Sequence, residues 1–358
     1  MRKLRVGIIF GGRSGEHDVS IASAASIFKH LDRTRYDAIP IHIEKNGRWM
    51  LGGNAPDARS AAGPIEGGVT EARQPVEPSA VVSGSRLDVV FPVLHGPYGE
   101  DGTVQGLLEL ANVPYVGAGV LGSAVAMDKA VMKTLFAACG LPIVPHLTVL
   151  RREWLVEQQR SIGDRAANEL RFPMFVKPAN LGSSVGISKA KSAADFAGAM
   201  ELAFQFDRKV VVEAAVPRAR EIECAVLGND TPEASVPGEI IPSREFYDYE
   251  AKYLDEGSRL LIPAPLTDTH TAEIRRWAID AFRAVDGAGM SRVDFLVAGD
   301  TGRTFVNEVN TIPGFTAISM YPKLWEASGV PYPALLDRLI ALALERHAEK
   351  QRLRTSIT

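Results

Sequence analysis

The run from Val6 to Phe10, VGIIF, is apolar throughout, stops at Gly11 and Gly12, and gives way to a helical pattern from about Val19 to Leu31. Tyr36 to Ile43 and Leu87 to Leu94 are further strand-like runs, the second ending at His95 and Gly96. Strands that are apolar on both faces and alternate with helices require a mostly parallel sheet covered by helices. Ligands of such sheets collect beyond the carboxyl ends of the strands, where both Gly-rich segments lie.

Between these runs, Leu51 to Arg86 is rich in Gly, Ala, Pro and Ser and only weakly periodic, which reads as an irregular insertion with room for one hairpin. A helix is expected from about Ala124 to Cys139, stopped by Gly140 and Pro142. From Pro173 the pattern changes to short strands at 173–177, 185–190, 210–213 and 221–227 around one helix near 193–206, a separate α+β unit. Strands near 236–242, 290–297 and 304–310 and a helical tail from Pro333 to Leu353 complete the chain.

Side chains alternate along a strand, so the segment TFVNEVNTIPG, Thr304 to Gly314, places Val306, Glu308 and Asn310 on one face. The upstream run SRVDFL groups Arg292, Asp294 and Leu296 in the same way, and the intervening Gly299 to Gly302 is a hairpin signal. Pairing about Thr301 sets Asp294 opposite Glu308 and Arg292 opposite Asn310. Facing carboxylates repel, so a positive charge belongs between them. Their oxygens suit Mg²⁺ or Mn²⁺, which takes one or two carboxylates together with substrate phosphates. A solvated hairpin face paired with Arg292 explains the same residues without a metal.

VKPANLGSSVGISK sets Lys177 at a strand end and follows it with Gly182, Ser183, Ser184 and Gly186. Backbone N–H groups of such a loop approach phosphate oxygens closely, although a flexible turn beside a surface lysine reads the same way. Lys129 lies early in a helix. Glu213 and Glu221 flank a linker at a strand edge, which offers backbone groups to a base and a carboxylate to a ribose; alone, both glutamates read as surface residues. FGGRSGEH lacks the first glycine of a dinucleotide-binding loop, since Phe10 stands there. His95 sits at a strand end beside Glu100 and Asp101.

Bulk composition narrows the class of partner. With 358 residues, a net charge of −3 and 46% hydrophobic residues, the chain has the balance of a soluble globular protein, and bulk charge suggests neither nucleic acid nor membrane. Cys139 and Cys224 form no disulfide framework or C-x-x-C site, which suits a cytoplasmic location. The apolar run after Arg2, Lys3 and Arg5 is too short for a signal peptide, and no run approaches the ~20 residues of a membrane span.

FGGRSGEHDVS (10–20), LHGPYGEDGTVQG (94–106), MDK (127–129), VKPANLGSSVGISK (176–189), EFYDYEAKY (245–253), SRVDF (291–295) and NEVNTIPGFTAISMYP (307–322) together resemble the D-alanine–D-alanine ligases of the ATP-grasp superfamily. They occur in that family's order. The resemblance implies an α/β and α+β chain of three domains: an N-terminal parallel α/β (pre-ATP-grasp) domain over 1–122, a central ATP-grasp domain over 123–211 and a C-terminal catalytic domain over 212–358. It further implies ATP as co-substrate, two Mg²⁺ or Mn²⁺ ions and a homodimer.

Residue by residue, the resemblance implies that Lys129 and Lys177 contact the nucleotide phosphates and that the loop of Ser183 and Ser184 covers them. Glu213, Ala215, Val216 and Glu221 would take adenine and ribose, with Phe246 and Leu296 beside the nucleotide. Asp294, Glu308 and Asn310 would hold the metals. Glu16, linked through Ser183 to Tyr253, would fix the ammonium of the first D-alanine, with His95 at the same subsite. Lys252 and Ser319 would hold the carboxylate of the second, and Arg292 and the Gly314 N–H the tetrahedral oxyanion. The segment containing Phe246, Lys252 and Tyr253 resembles the family's mobile loop. Tyr253 favours a dipeptide over D-alanyl-D-lactate, which related ligases make. The linker from Glu213 to Glu221 is one residue longer than expected, and 52–85 has no counterpart in shorter members. An NAD-dependent oxidoreductase leaves Lys177, Asp294, Glu308 and Asn310 without a task. A catalytically dead nucleotide-binding regulator is at odds with an intact carboxylate set.

Overall fold

A computed structural model describes residues 2–53, 55–56, 74–80, 87–182, 185–241, 259–354 and 356. The chain opens with β1 (Leu4–Gly11), α1 (His17–His30), β2 (Tyr36–Ile43), β3 (Trp49–Leu51), β4 (Gln74–Val76) and β5 (Val89–Pro92). Their strands form one sheet in the order β4-β3-β2-β1-β5. β1 is parallel to β2 and β5, and its apolar run is buried on both faces: Val6, Ile8 and Phe10 enter one core, Ile9 the other. The parallel sheet is therefore part of a mixed one, because β3 adds antiparallel to β2 and β4, from within the insertion, adds antiparallel to β3.

After α2 (Thr103–Leu110), the single helix expected at 124–139 is two, α3 (Val120–Met127) and α4 (Lys129–Ala138). Asp128 makes the break. Its backbone is extended, and its carboxylate accepts hydrogen bonds from the N–H groups of Ala130 and Val131, both at 3.1 Å, which caps α4. The same carboxylate pairs with Lys209. Asp128→Ala is expected to lower the unfolding free energy by about 2 kcal/mol, cap and ion pair together, as read by urea denaturation.

The second unit comprises β6 (His146–Leu150), α5 (Val156–Glu169), β7 (Met174–Pro178), β8 (Ser188–Ala190), α6 (Ala193–Ala203) and β9 (Lys209–Ala214). Its antiparallel sheet runs β6-β9-β7-β8. β9 belongs to it whole, so a cut at 211/212 would divide a strand.

The third unit holds β10 (Arg220–Gly228), β11 (Glu233–Ala234), β12 (Gly238–Ile241), β13 (Arg259–Leu261), α7 (Asp268–Ala284), β14 (Gly289–Val297), β15 (Thr304–Asn310), α8 (Met320–Ala327) and α9 (Tyr332–Gln351). The sheet order is β13-β12-β10-β14-β15, with β11 on β10. The strand at 221–227, grouped from sequence with the preceding unit, is thus the middle of the next sheet. Ile274, Ala278 and Phe282 of α7 pack on Val293, Phe295 and Val297. Trp325 of α8 and Leu335, Leu336 and Leu339 of α9 share one core with Ile27 and Phe28 of α1 and Phe91 of β5, which locks the third unit to the first. No helix among the described residues is long and apolar enough to cross a membrane.

Candidate active site

β14 and β15 pair antiparallel with Arg292 opposite Asn310 and Asp294 opposite Glu308, the register expected from the hairpin. The register then shifts: Phe295 faces Val306, and Asn307 is the extra residue of a bulge. Val306 therefore does not share the face of Glu308, as simple alternation implies. It turns with Val309 into the core under α7, and Phe305 takes the place opposite Leu296. The bulge lets one strand bury both valines while presenting Glu308 and Asn310 to the cleft.

β10 extends the row. Glu223 pairs with Asp294, so Glu223, Asp294 and Glu308 lie abreast across three strands. Such a row repels itself, and two cations relieve it. Arg292 binds Asp294 through two hydrogen bonds of 2.7 Å and lies 3.1 Å from Glu223. Lys129, the first residue of α4, lies 3.6 Å from Glu308 Oε2 and donates to the Leu181 carbonyl at 2.7 Å. Asn310 donates to Asp294 at 3.0 Å.

Behind this face Lys177 of β7 lies 2.6 Å from Glu213 Oε2, while Lys133 reaches Glu213 Oε1 at 2.9 Å. Burial disfavours the Lys177 charge, but Glu213 outweighs it and holds the pKa above the ordinary value. Burial alone would raise the Glu213 carboxyl; the two lysines hold it well below the usual carboxylate range. The Ala215 N–H donates to the Pro173 carbonyl at 3.2 Å. Val216 follows in the linker, and Glu221 stands opposite Leu296.

Glu16, at the start of α1, is pressed between two glycines. A Cβ at Gly96, whose φ is +73°, would fall 2.9 Å from its Oε2, and one at Gly182 would fall 3.2 Å away. Buried His95 contacts the Ile312 carbonyl through Nδ1 at 3.1 Å, and burial lowers its pKa. The ring donates from Nδ1 and leaves Nε2 with no hydrogen-bond partner among the described residues. Glu100 accepts from the N–H groups of Gly96 at 2.8 Å and Ile312 at 3.2 Å. Ser319 Oγ meets Thr316 Oγ1 at 2.7 Å and accepts the Thr316 N–H at 3.0 Å. A Cβ at Gly314 would sit 2.7 Å from Ser319 Oγ.

Glu16, His95, Gly182, Arg292, Glu308, Asn310, Gly314 and Ser319 line one solvent-open cleft. Ser183, Ser184, Phe246, Lys252 and Tyr253 lie outside the described residues. Sequence reasoning assigned no task to Lys133, Glu100 or Glu223. Lys133 follows Lys129 by four residues, one helical turn, and Glu223 follows Glu221 by two, on one strand face; both periodicities were available.

Burial, followed by the charge of Glu16, pushes the Glu100 carboxyl up to about 8. A carboxyl raised in the folded state binds more protons there than when unfolded, so the stability it supports falls as pH rises from about 4.5 to 8. Glu100→Gln is expected to flatten that decline, by at most about 1.4 kcal/mol per pH unit, as read by comparing urea denaturation of variant and parent from pH 5 to 8.

The fold resembles solved ligases. A D-alanine–D-alanine ligase from Coxiella burnetii matches with a TM-score of 0.80 at 41% identity, covering 98% of this chain and 97% of that one. A D-Ala:D-Ser ligase from Enterococcus faecalis matches at 0.82 and 33%, covering 96% and 100%. The architecture is ATP-grasp. The models described as D-ala D-ala ligase N-terminus and C-terminus match residues 5–118 and 135–341. Proteins named D-alanine–D-alanine ligase are 53% identical over 359 residues in Heliobacterium modesticaldum and 54% over 349 in Solibacter usitatus, each match covering 98% of both chains. The chain belongs to the D-alanine–D-alanine ligase family.

Proposed function

We propose that the chain joins two D-alanines to D-alanyl-D-alanine through a D-alanyl phosphate, converting ATP to ADP and phosphate, for cell-wall precursor synthesis. The observation that carries this reading is a single cleft in which an amino-acid pocket, Glu16 with His95, opens on Glu223, Glu308 and Asn310, with Lys129 3.6 Å from Glu308.

The first D-alanine sets its ammonium between Glu16 and the unpartnered Nε2 of His95. Its carboxylate attacks the γ-phosphorus, and ADP leaves. Lys129 and Lys177 hold the triphosphate, the Ser183 and Ser184 loop covers it, and adenine and ribose lie along Glu213, Ala215, Val216 and Glu221 beside Phe246 and Leu296. Since the Glu213 oxygens are taken by lysines, that residue acts on the nucleotide through Lys177. The amine of the second D-alanine, held by its carboxylate at Ser319 and Lys252, attacks the acyl carbonyl. Arg292 and the Gly314 N–H stabilise the oxyanion that forms, and phosphate departs. Tyr253 completes the link from Glu16 through Ser183.

Asp294, Glu308 and Asn310 fit Mg²⁺ or Mn²⁺, because they offer hard oxygen donors on a face that carries more anionic than cationic side chains. Two such ions would neutralise charge on the phosphates. Among the described residues no three His, Cys, Asp or Glu side chains form a metal cage, in keeping with a site whose remaining ligands come from the phosphates. A cytoplasmic homodimer acting on small molecules, not on nucleic acid or membrane, accompanies this reading.

Following ADP release with D-alanine alone, and with D-alanine plus D-lactate or D-serine, tests it. ADP formation that tracks D-alanine and yields the dipeptide is expected. ADP formation at the same rate without D-alanine, or equal use of L-alanine, would exclude it.

A further inference from the structure

Lys133 is 1% exposed, and its ammonium touches two elements besides its own helix: Glu213 of β9 at 2.9 Å and the carbonyl of the bulged Asn307 of β15 at 3.4 Å. Burying an ammonium costs several kcal/mol before pairing, and a methionine would fill a similar volume without that cost. Glu213 does not need this lysine as a partner, because Lys177 already holds its other oxygen at 2.6 Å. What Lys133 changes is the sum. Burial lowers the Lys133 pKa and the Glu213 contact opposes that shift; with both lysines protonated, two lysines and one carboxylate leave one positive charge, whereas Lys177 and Glu213 alone leave none.

We propose that Lys133 is a positioning residue for the triphosphate: it shares Glu213, so that Lys177 keeps positive charge to offer to ATP, and it ties β9 to the bulge that presents Glu308. Lys129 lies one turn earlier on α4, so a single helix would set both phosphate-facing lysines and the carboxylate opposite them. This rests on the ligase reading above. D-alanine-dependent ADP release by the unaltered enzyme checks that reading separately.

The test is steady-state kinetics of the full chain with ATP and D-alanine varied in turn. Lys133→Met is expected to raise the KM for ATP about tenfold or more, with the KM for D-alanine within about twofold. Lys133→Gln carries the test if methionine is not accommodated, and a charge effect predicts the same shift from both. Combining Lys133→Gln with Glu213→Gln returns one positive charge to the pair and is expected to recover most of the lost ATP affinity. An unchanged KM for ATP in the single variants, with only a lower melting temperature, would overturn the proposal. So would a double variant whose KM for ATP stays as high as that of Lys133→Gln.

Discussion

Glu308→Gln is expected to lower kcat/KM by about 10³-fold while the protein keeps its stability. Both halves of this outcome come from one geometry. Glu308 stands at the end of the row Glu223, Asp294, Glu308, half-buried, with Lys129 3.6 Å away. Glutamine keeps the shape and a hydrogen-bonding oxygen, and it removes one of three mutually repelling charges, so folding loses nothing. Catalysis loses an anionic oxygen on the face that would hold the cations that neutralise the phosphates. Denaturation curves and the coupled ADP assay on the same preparation read both halves; parallel losses of stability and activity would show a structural role instead.

Arg292→Ala is expected to act on both. Its guanidinium is bound by Asp294 at 2.7 Å and lies 3.1 Å from Glu223. Without it three carboxylates face one another with the guanidinium charge gone from among them, a loss of about 2–4 kcal/mol given the partial burial. Removing the oxyanion donor costs a further 10²–10³-fold, roughly, in kcat. Adding Glu223→Gln separates the two: it relieves the repulsion and is expected to restore most of the stability but none of kcat. If the double variant recovers activity along with stability, Arg292 is a scaffold for the carboxylates and not a partner of the oxyanion.

The site was legible in sequence wherever chemistry follows local spacing. The hairpin between Asp294 and Glu308 could be paired from its turn alone, and the Gly-rich ends of β1 and β5 marked where ligands gather. Local spacing failed at three places. Asn307 bulges because Val306 and Val309 both need the core under α7, and strict alternation cannot express a residue that opposes nothing. Asp128 splits a helix because its side chain caps α4, a conflict between periodicity and capping that only the backbone resolves. β10 leaves the unit it follows for the next sheet, since pairing is decided between distant strands. Lys133 and Glu223 stayed unassigned for a related reason: their partners Glu213 and Arg292 are distant in sequence, and burial, which turns a surface lysine into a shared counterion, is a tertiary property.

In the proposed reaction the carboxylate of one D-alanine takes the γ-phosphoryl group and the amine of another displaces it as phosphate. Supplying D-alanine labelled with ¹⁸O in its carboxylate and analysing the released phosphate by mass spectrometry tests this directly. One ¹⁸O in each phosphate formed, in step with dipeptide, is the expected result. Unlabelled phosphate accompanying the dipeptide would contradict it.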